Sequence, residues 1–117
     1  MALSAEEHTQ ARGFLLALPG PAASSDAAGY AELARLSHEG AELLTSALDA
    51  TRYGVEPPSA HDVAGHHRRR AHALAHLAAR HPQYEEPAHL AITMWQLWED
   101  RVTEDVLTAA GARHAHL

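Results

Sequence analysis

The chain contains no cysteine, no lysine and no long run of apolar residues. Without cysteine it cannot form a disulfide bond, a thiolate zinc site or a cysteine nucleophile. A membrane-spanning helix needs about 20 mostly apolar residues in a row, and no segment approaches that length, so we expect no membrane contact. Glu6 and Glu7 stand where a secretory signal would be basic, which makes the cytoplasm the expected location.

Positive charge is also scarce. The chain has nine arginines and 15 acidic residues, which gives a net charge of -6 at pH 7 with the histidines neutral. This balance argues against nucleic acid as a partner, because the phosphate backbone attracts basic surfaces. With 46% hydrophobic and 21% charged residues, the composition is typical of one globular domain, which we expect over residues 1–117.

Two residue types are abundant instead. The 26 alanines favour helix, because alanine is the strongest helix former. The 11 histidines are the most unusual feature, since histidine titrates near pH ~6.5 and binds transition metals.

Capping residues and helix breakers divide the chain into four predicted helices. Ser4 and Glu7 have the spacing of a capping box, and Pro19-Gly20-Pro21 ends that first helix. No segment alternates as a strand would. The predicted helices cover about residues 5–18, 26–53, 59–81 and 87–110. Their short connections predict an all-α, four-helix bundle with up-down topology.

Charge distribution predicts which helices pair. Residues 61–81 carry four arginines and one aspartate, whereas residues 85–105 carry six acidic residues and one arginine. We therefore expect the third and fourth predicted helices to pack as an antiparallel pair with complementary charge.

Helical projection predicts which faces are buried. The apolar residues of the fourth helix cover more than half of its circumference and are Leu90, Met94, Trp95, Leu97, Trp98, Val102 and Val106. That width places this helix either at the centre of the bundle or in an oligomer interface, and we expect a homodimer.

The other predicted helices have narrower apolar stripes. On the first, Ala11, Phe14, Leu15 and Leu18 share a face with His8. On the second, the apolar face holds Tyr30, Leu33, Leu36, Leu43, Leu44 and Leu48, and the outer face holds Glu32, Arg35, Glu39 and Glu42. On the third, Val63, Leu74 and Leu77 share a face with His67, Arg70 and His81.

Three histidine motifs follow one another along the chain: His8, then His38-x-x-x-Glu42, then His72-x-x-x-His76. Side chains four residues apart lie on one helix face and can reach one ion. This order resembles that of the hemerythrins, di-iron oxygen-binding bundles, and implies an iron site at these positions. The family's final HxxxxD motif has no counterpart, since Asp100 stands where its histidine would precede Asp105.

The projection also allows a different interpretation of the last motif. His72 and His76 point away from Leu74 and Leu77, so we expect them on the surface. There they would form a weak chelate for a divalent transition metal.

A second resemblance lies near residue 81. The segment Leu77–Tyr84, followed by Pro87-Ala88-His89-Leu90, resembles the part of a globin in which the haem-ligating histidine ends a helix, and implies haem on His81. The alternative is that His81 stabilises the helix dipole at this C-terminus.

Several polar side chains fall on or beside apolar stripes: His8, His67, Arg70, Arg101 and Asp105. They form either a hydrogen-bonded network around Asp105 or, with Trp95 and Trp98, a pocket for a small ligand.

Signals for catalysis are few. The chain has no nucleophile elbow and no glycine-rich phosphate loop. Glu39 and Glu42 resemble the carboxylate pairs of helical magnesium-dependent nucleotide hydrolases, but no second pair follows. Arg68, Arg69 and Arg70 spread around their helix, so they do not form one phosphate-binding stripe. We therefore predict a non-enzymatic binding module that self-associates, with a metal- or haem-binding bundle as the alternative.

Overall fold

The computed structural model describes the backbone of residues 3–115 and the side chains of residues 3–111. This part of the chain is all-helical and contains no strand. Its elements are α1 (Ala5–Ala17), α2 (Pro21–Ser24), α3 (Asp26–Tyr53), α4 (Ala60–Arg80), a 3-10 turn (Pro82–Tyr84) and α5 (Glu85–Ala115). Within the described residues, no helix combines the length and apolar character that crossing a membrane requires.

Local chemistry sets most helix ends where the sequence predicts them. The side-chain oxygens of Ser4, Ser25 and Ser59 each accept a hydrogen bond from the backbone N–H three residues further on, at 3.1 Å. Each bond satisfies a donor that has no partner within its helix. Gly54 ends α3 in the left-handed conformation, with φ at 69°, which a residue without Cβ adopts at little cost.

Two predicted boundaries are wrong. Residues 21–24, expected to be loop, form α2, which begins with a proline in its first turn. Gly111 does not stop α5, which runs on to Ala115. A single glycine inside a helix costs only about 1 kcal/mol relative to alanine, and alanines on both sides offset that cost.

The predicted four-helix, up-down arrangement is not confirmed. α1 has 13 residues, whereas α3 has 28 and α5 has 31, so α1 cannot run the length of the long helices. The three long helices instead form the body of the molecule, and α1 and α2 cover part of it.

The central element is α4, whereas the sequence offered the fourth predicted helix, now α5, for either the centre or an oligomer interface. Helix α4 packs against α1, α2, α3 and α5, and its contact with α5 is the most extensive. Every residue from Ala71 to Ala78 is buried. Alanine side chains let neighbouring backbones come close on several sides, so an alanine-rich helix suits the centre of this fold.

The predicted pairing of α4 with α5 is present, but the reason given for it is wrong. Leu74 and the small residues of α4 pack against Ile92 and Trp95 of α5 in the main core. The ion pairs that α4 arginines make within the described residues go to α3 instead: Arg69 to Glu39 and Arg80 to Asp26. Apolar burial therefore joins α4 and α5.

The buried face of α3 is rotated from the predicted one. Gly29, Glu32 and Leu36 are buried at helical spacing, whereas Leu44 and Leu48 are 61% and 52% exposed. Leucine spacing did not predict this face because no residue of α3 beyond Leu36 is fully buried, although leucines continue to Leu48. Tyr30 and, on α1, Phe14 were also predicted to be buried and are exposed.

Candidate functional site

His72 and His76, predicted to form a surface chelate, are buried beneath α1 and the loop that follows it. Their side chains are 8% and 9% exposed. The two rings meet edge to face with centroids 4.6 Å apart. Nε2 of His72 lies 3.0 Å from the carbonyl oxygen of Leu18 and donates its proton to it. The predicted exposure was wrong because α1 and α2 cover the face of α4 that the projection had left to solvent.

The corresponding nitrogen of His76 has a different environment. This Nε2 is buried and makes no hydrogen bond within the described part of the chain. Burial lowers the pKa of His76, and so do the neighbouring charges of His72 and Arg80, while the carbonyl groups of Leu15 and Leu18 act in the opposite direction. The net effect favours the neutral form of the ring.

The hemerythrin-like motifs do not assemble into one site. His38 and Glu42 pair with each other at 3.0 Å on the surface, where their side chains are 79% and 68% exposed. His72 and His76 are buried on a different helix. Among the described residues, no group of three or more histidine, aspartate or glutamate side chains is arranged to hold a metal ion. The three motifs therefore do not meet at one site in the part of the chain that the structure describes.

His81 links two helices. Its Nε2 lies 2.5 Å from one carboxylate oxygen of Asp26, and Nε of Arg80 lies 2.5 Å from the other. Both hydrogen bonds lower the pKa of Asp26, and the bond to His81 has the larger effect. They tie the end of α4 to the start of α3. The nitrogen that a haem iron would need already faces a carboxylate, so this geometry gives no support to the haem expectation.

The pocket predicted around Asp105 does not form. Trp95 is buried and donates through Nε1 to Glu99 at 3.0 Å. Trp98 lies nearer the surface, with the ring of His67 stacked on it at a centroid distance of 6.3 Å. Asp105 and Arg70 are exposed. The structure thus separates residues that the projection had grouped together, because it places the far end of α5 outside the core.

His67 is half-buried beside Trp98. Burial lowers its pKa, and the charges of His66 and Arg70 lower it further. The neighbouring His66 instead meets a carboxylate, with its Nδ1 2.8 Å from Glu39. Glu39 also accepts from Arg69 at 2.5 Å, so the Glu39–Glu42 pair offers no free metal-binding carboxylates of the kind the sequence suggested.

His8 lies at the contact between α1 and α5. Its ring centroid is 4.1 Å from that of His89, and its Nε2 is buried without a hydrogen-bond partner among the described residues. Burial lowers the pKa of His8, as do the charges of His89 and Arg12, whereas Glu85 raises it. In the sequence His89 appears only within the globin-like segment, and no spacing there predicts its contact with His8.

A bidentate ion pair closes the same contact. Nη1 and Nη2 of Arg12 donate to the two carboxylate oxygens of Glu85 at 2.8 and 2.7 Å. This pair lowers the pKa of Glu85 and raises that of Arg12. No sequence pattern connects two residues so far apart in the chain.

One side of α5 carries a row of exposed and half-buried side chains, which we name the outer stripe. It consists of Glu86, Leu90, Met94, Leu97, Trp98 and Arg101. Leu90, Met94 and Leu97 are 57%, 40% and 41% exposed. The guanidinium carbon of Arg101 lies 5.9 Å from the centre of the Trp98 ring. A shallow groove of about 370 Å³ runs along the stripe from Met94 to Glu104.

Comparisons of the chain with protein-family models, with curated proteins and with solved structures found no match.

Proposed function

We propose that this protein is a non-enzymatic interaction module that self-associates through the outer stripe of α5. The observation that carries the proposal is the exposure of Leu90, Met94 and Leu97 in one row beside Trp98 and Arg101. Scattered exposed apolar residues are normal, but contiguous ones mark contact surfaces. Tryptophan, methionine and arginine are enriched at the centres of protein interfaces.

The pattern of the outer stripe favours a second copy of the chain as the partner. The stripe is symmetric about a point between Thr93 and Met94. In an antiparallel pair of α5 helices with a two-fold axis at that point, Leu90 lies opposite Leu97 of the partner subunit. Arg101 then lies opposite Glu86 of the partner subunit. A two-fold dimer needs a surface that is complementary to itself, and this arrangement provides one.

The two charges at the ends of the stripe support this pairing. Within the described part of one chain, neither Arg101 nor Glu86 belongs to an ion pair. The antiparallel arrangement brings each charge to its opposite twice, once at each end of the apolar centre. Complementary charges at an interface fix the register and the choice of partner.

A charge-reversal cycle tests the proposal. We expect Arg101→Glu and Glu86→Arg each to weaken the dimer about tenfold or more, because each places like charges opposite one another. The double variant restores opposite pairs and returns the dissociation constant to within a few-fold of the original. Sedimentation equilibrium over a range of protein concentrations measures all four proteins.

Arg52→Glu is the matched control, since Arg52 is exposed on α3 outside the stripe. It lowers the net charge by two, as Arg101→Glu does, and we expect it to leave the dimer unaffected. A stable dimer has a dissociation constant well below about 100 μM, so a protein that remains monomeric at that concentration would contradict self-association. A dimer that the double variant fails to restore would contradict the antiparallel register.

A further inference from the structure

Three of the nine arginines line one cleft on this acidic protein. The cleft lies between the loop Leu18–Pro21, α3 and α4, and encloses about 370 Å³. Arg35, Arg68 and Arg69 line it, and the one carboxylate in its wall is that of Glu32. We name it the arginine cleft. Its lining has three arginines and one glutamate, although the whole chain has a net charge of -6.

Carboxylates behind the cleft hold two of these arginines in place. Arg35 donates through Nη2 to Glu32, which is only 8% exposed. Arg69 donates through Nη2 to Glu39. A guanidinium group has five N–H donors in a rigid plane, so one bond fixes its position and leaves other donors for a ligand.

Arg68 adds a charge that the protein does not neutralise. Its side chain is exposed and makes no ion pair with any residue that the structure describes. Arg68 and Arg69 also border a neighbouring hollow of about 470 Å³ between α3, α4 and α5. Arg68 and Arg69 therefore line both hollows.

The opposite wall of the cleft is apolar and backbone-lined. Leu18, Pro19 and Pro21 form it, and Gly20 lies against the ring of His72. A Cβ atom at residue 20 would lie 2.7 Å from Cε1 of His72, so only glycine lets the loop rest directly on the imidazole. The hydrogen bond from His72 to Leu18 holds this wall in position.

We infer that the arginine cleft binds a small organic phosphate monoester. Three guanidinium groups meet two carboxylates, Glu32 in the wall and Glu39 on Arg69, which leaves one net positive charge and unused N–H donors. A phosphate monoester carries about -1.5 to -2 at pH 7, so this net charge favours its binding. Guanidinium groups match phosphate oxygens with paired N–H donors. The organic part lies against Leu18 and the two prolines, and the volume of the cleft is in the range of small-molecule sites.

The test compares phenyl phosphate with inorganic phosphate on the full chain. We expect calorimetry to show phenyl phosphate binding several-fold more tightly, because only its ring uses the apolar wall. Arg68→Gln weakens phenyl phosphate about tenfold, as loss of a charged hydrogen bond does. Arg70→Gln is the matched control on the same helix, since Arg70 is exposed and lies outside the cleft.

Amide shifts recorded by NMR during the same titration identify the location. We expect them at Leu18, Gly20 and His72. Arg68 is exposed, so its variant retains the fold, which circular dichroism checks. Equal losses in the Arg68 and Arg70 variants would overturn the inference, because binding would then follow overall charge. Equal affinity for both phosphates, or no binding at about 10 mM, would also overturn it.

Discussion

His72 holds Leu18: its Nε2–H donates to the Leu18 carbonyl oxygen across a distance of 3.0 Å. A carbonyl oxygen can only accept, so this contact fixes which ring nitrogen carries the proton. It also satisfies a carbonyl group just beyond the end of α1 and fastens that end to the central helix. A residue that resembled a metal ligand in the sequence thus has a structural partner in the fold.

The first prediction concerns the buried histidine pair. Replacing both His72 and His76 by alanine removes the bond to Leu18 and leaves space beside the core. We expect the free energy of unfolding to fall by about 2–4 kcal/mol, in the range of lost buried hydrogen bonds and cavities. Urea denaturation measures the change. His38→Ala with His61→Ala is the control, since both side chains are exposed, and an equal loss there would contradict the structural role.

The second prediction concerns acid. The folded-state pKa values of His8, His67 and His76 are lowered, chiefly by burial. The unfolded chain therefore binds more protons as the pH falls, and folding stability decreases. Their contribution is complete above the unfolded value of about 6.5 and is lost as the pH falls through it toward the folded values.

Measurements of unfolding free energy at pH 7.5, 6.5 and 5.5 test this. Each histidine that remains neutral in the folded state contributes a slope of at most about 1.4 kcal/mol per pH unit. His8 faces Arg12, Glu85 and His89. His67 faces His66 and Arg70. His76 faces His72 and Arg80. Stability that stays constant or rises toward acid would show that these rings are not held neutral.

A third prediction separates the two tryptophans. Trp95 is 6% exposed and belongs to the main core, so Trp95→Ala is expected to reduce the unfolding free energy by about 3–5 kcal/mol. Trp98 lies in the outer stripe. Trp98→Ala is expected to leave the fold intact and to weaken the proposed dimer by about 2 kcal/mol, or roughly 30-fold. Thermal melts and sedimentation equilibrium distinguish the effects, and the reverse assignment would refute both roles.

The fourth prediction concerns the attachment of α1. Arg12→Gln breaks the bidentate pair with Glu85 and leaves the apolar contact of Leu15 in place. We expect amide hydrogen exchange in α1 to become several-fold faster while exchange in α4 is unchanged, since local opening needs less than global unfolding. The same substitution at Arg52 serves as a reference. Uniform acceleration along the chain would mean that α1 does not open by itself.

Helix ends were predictable because they depend on neighbours in sequence. Ser59 caps α4 and Gly54 ends α3 whatever else the chain does. Burial was less predictable. Between residues 71 and 78 the sequence alternates alanine, histidine and leucine, and alanine gives little sign of which face is inside. Only the position of α1 and α2 decides that His72 is covered.

The candidate sites were harder still. Glu32 was assigned to the outer face of its helix and is buried, where it holds an arginine at the wall of a cleft. The cleft joins residues from three separate segments, and no spacing in the sequence predicts their meeting. The apolar breadth of α5 was visible from the sequence, because it depends on one helix alone.

The length of α5 has a consequence for how this protein melts. From residue 103 to residue 111 every side chain is exposed, although the backbone is helical throughout. Such a segment has no tertiary burial to stabilise it, and an isolated helix of this length is marginal in water. Its helical state depends on the turns before it. On heating, this end of α5 should therefore unwind first, as in a helix–coil transition. The ellipticity should then decline gradually before the packed helices unfold in one cooperative step.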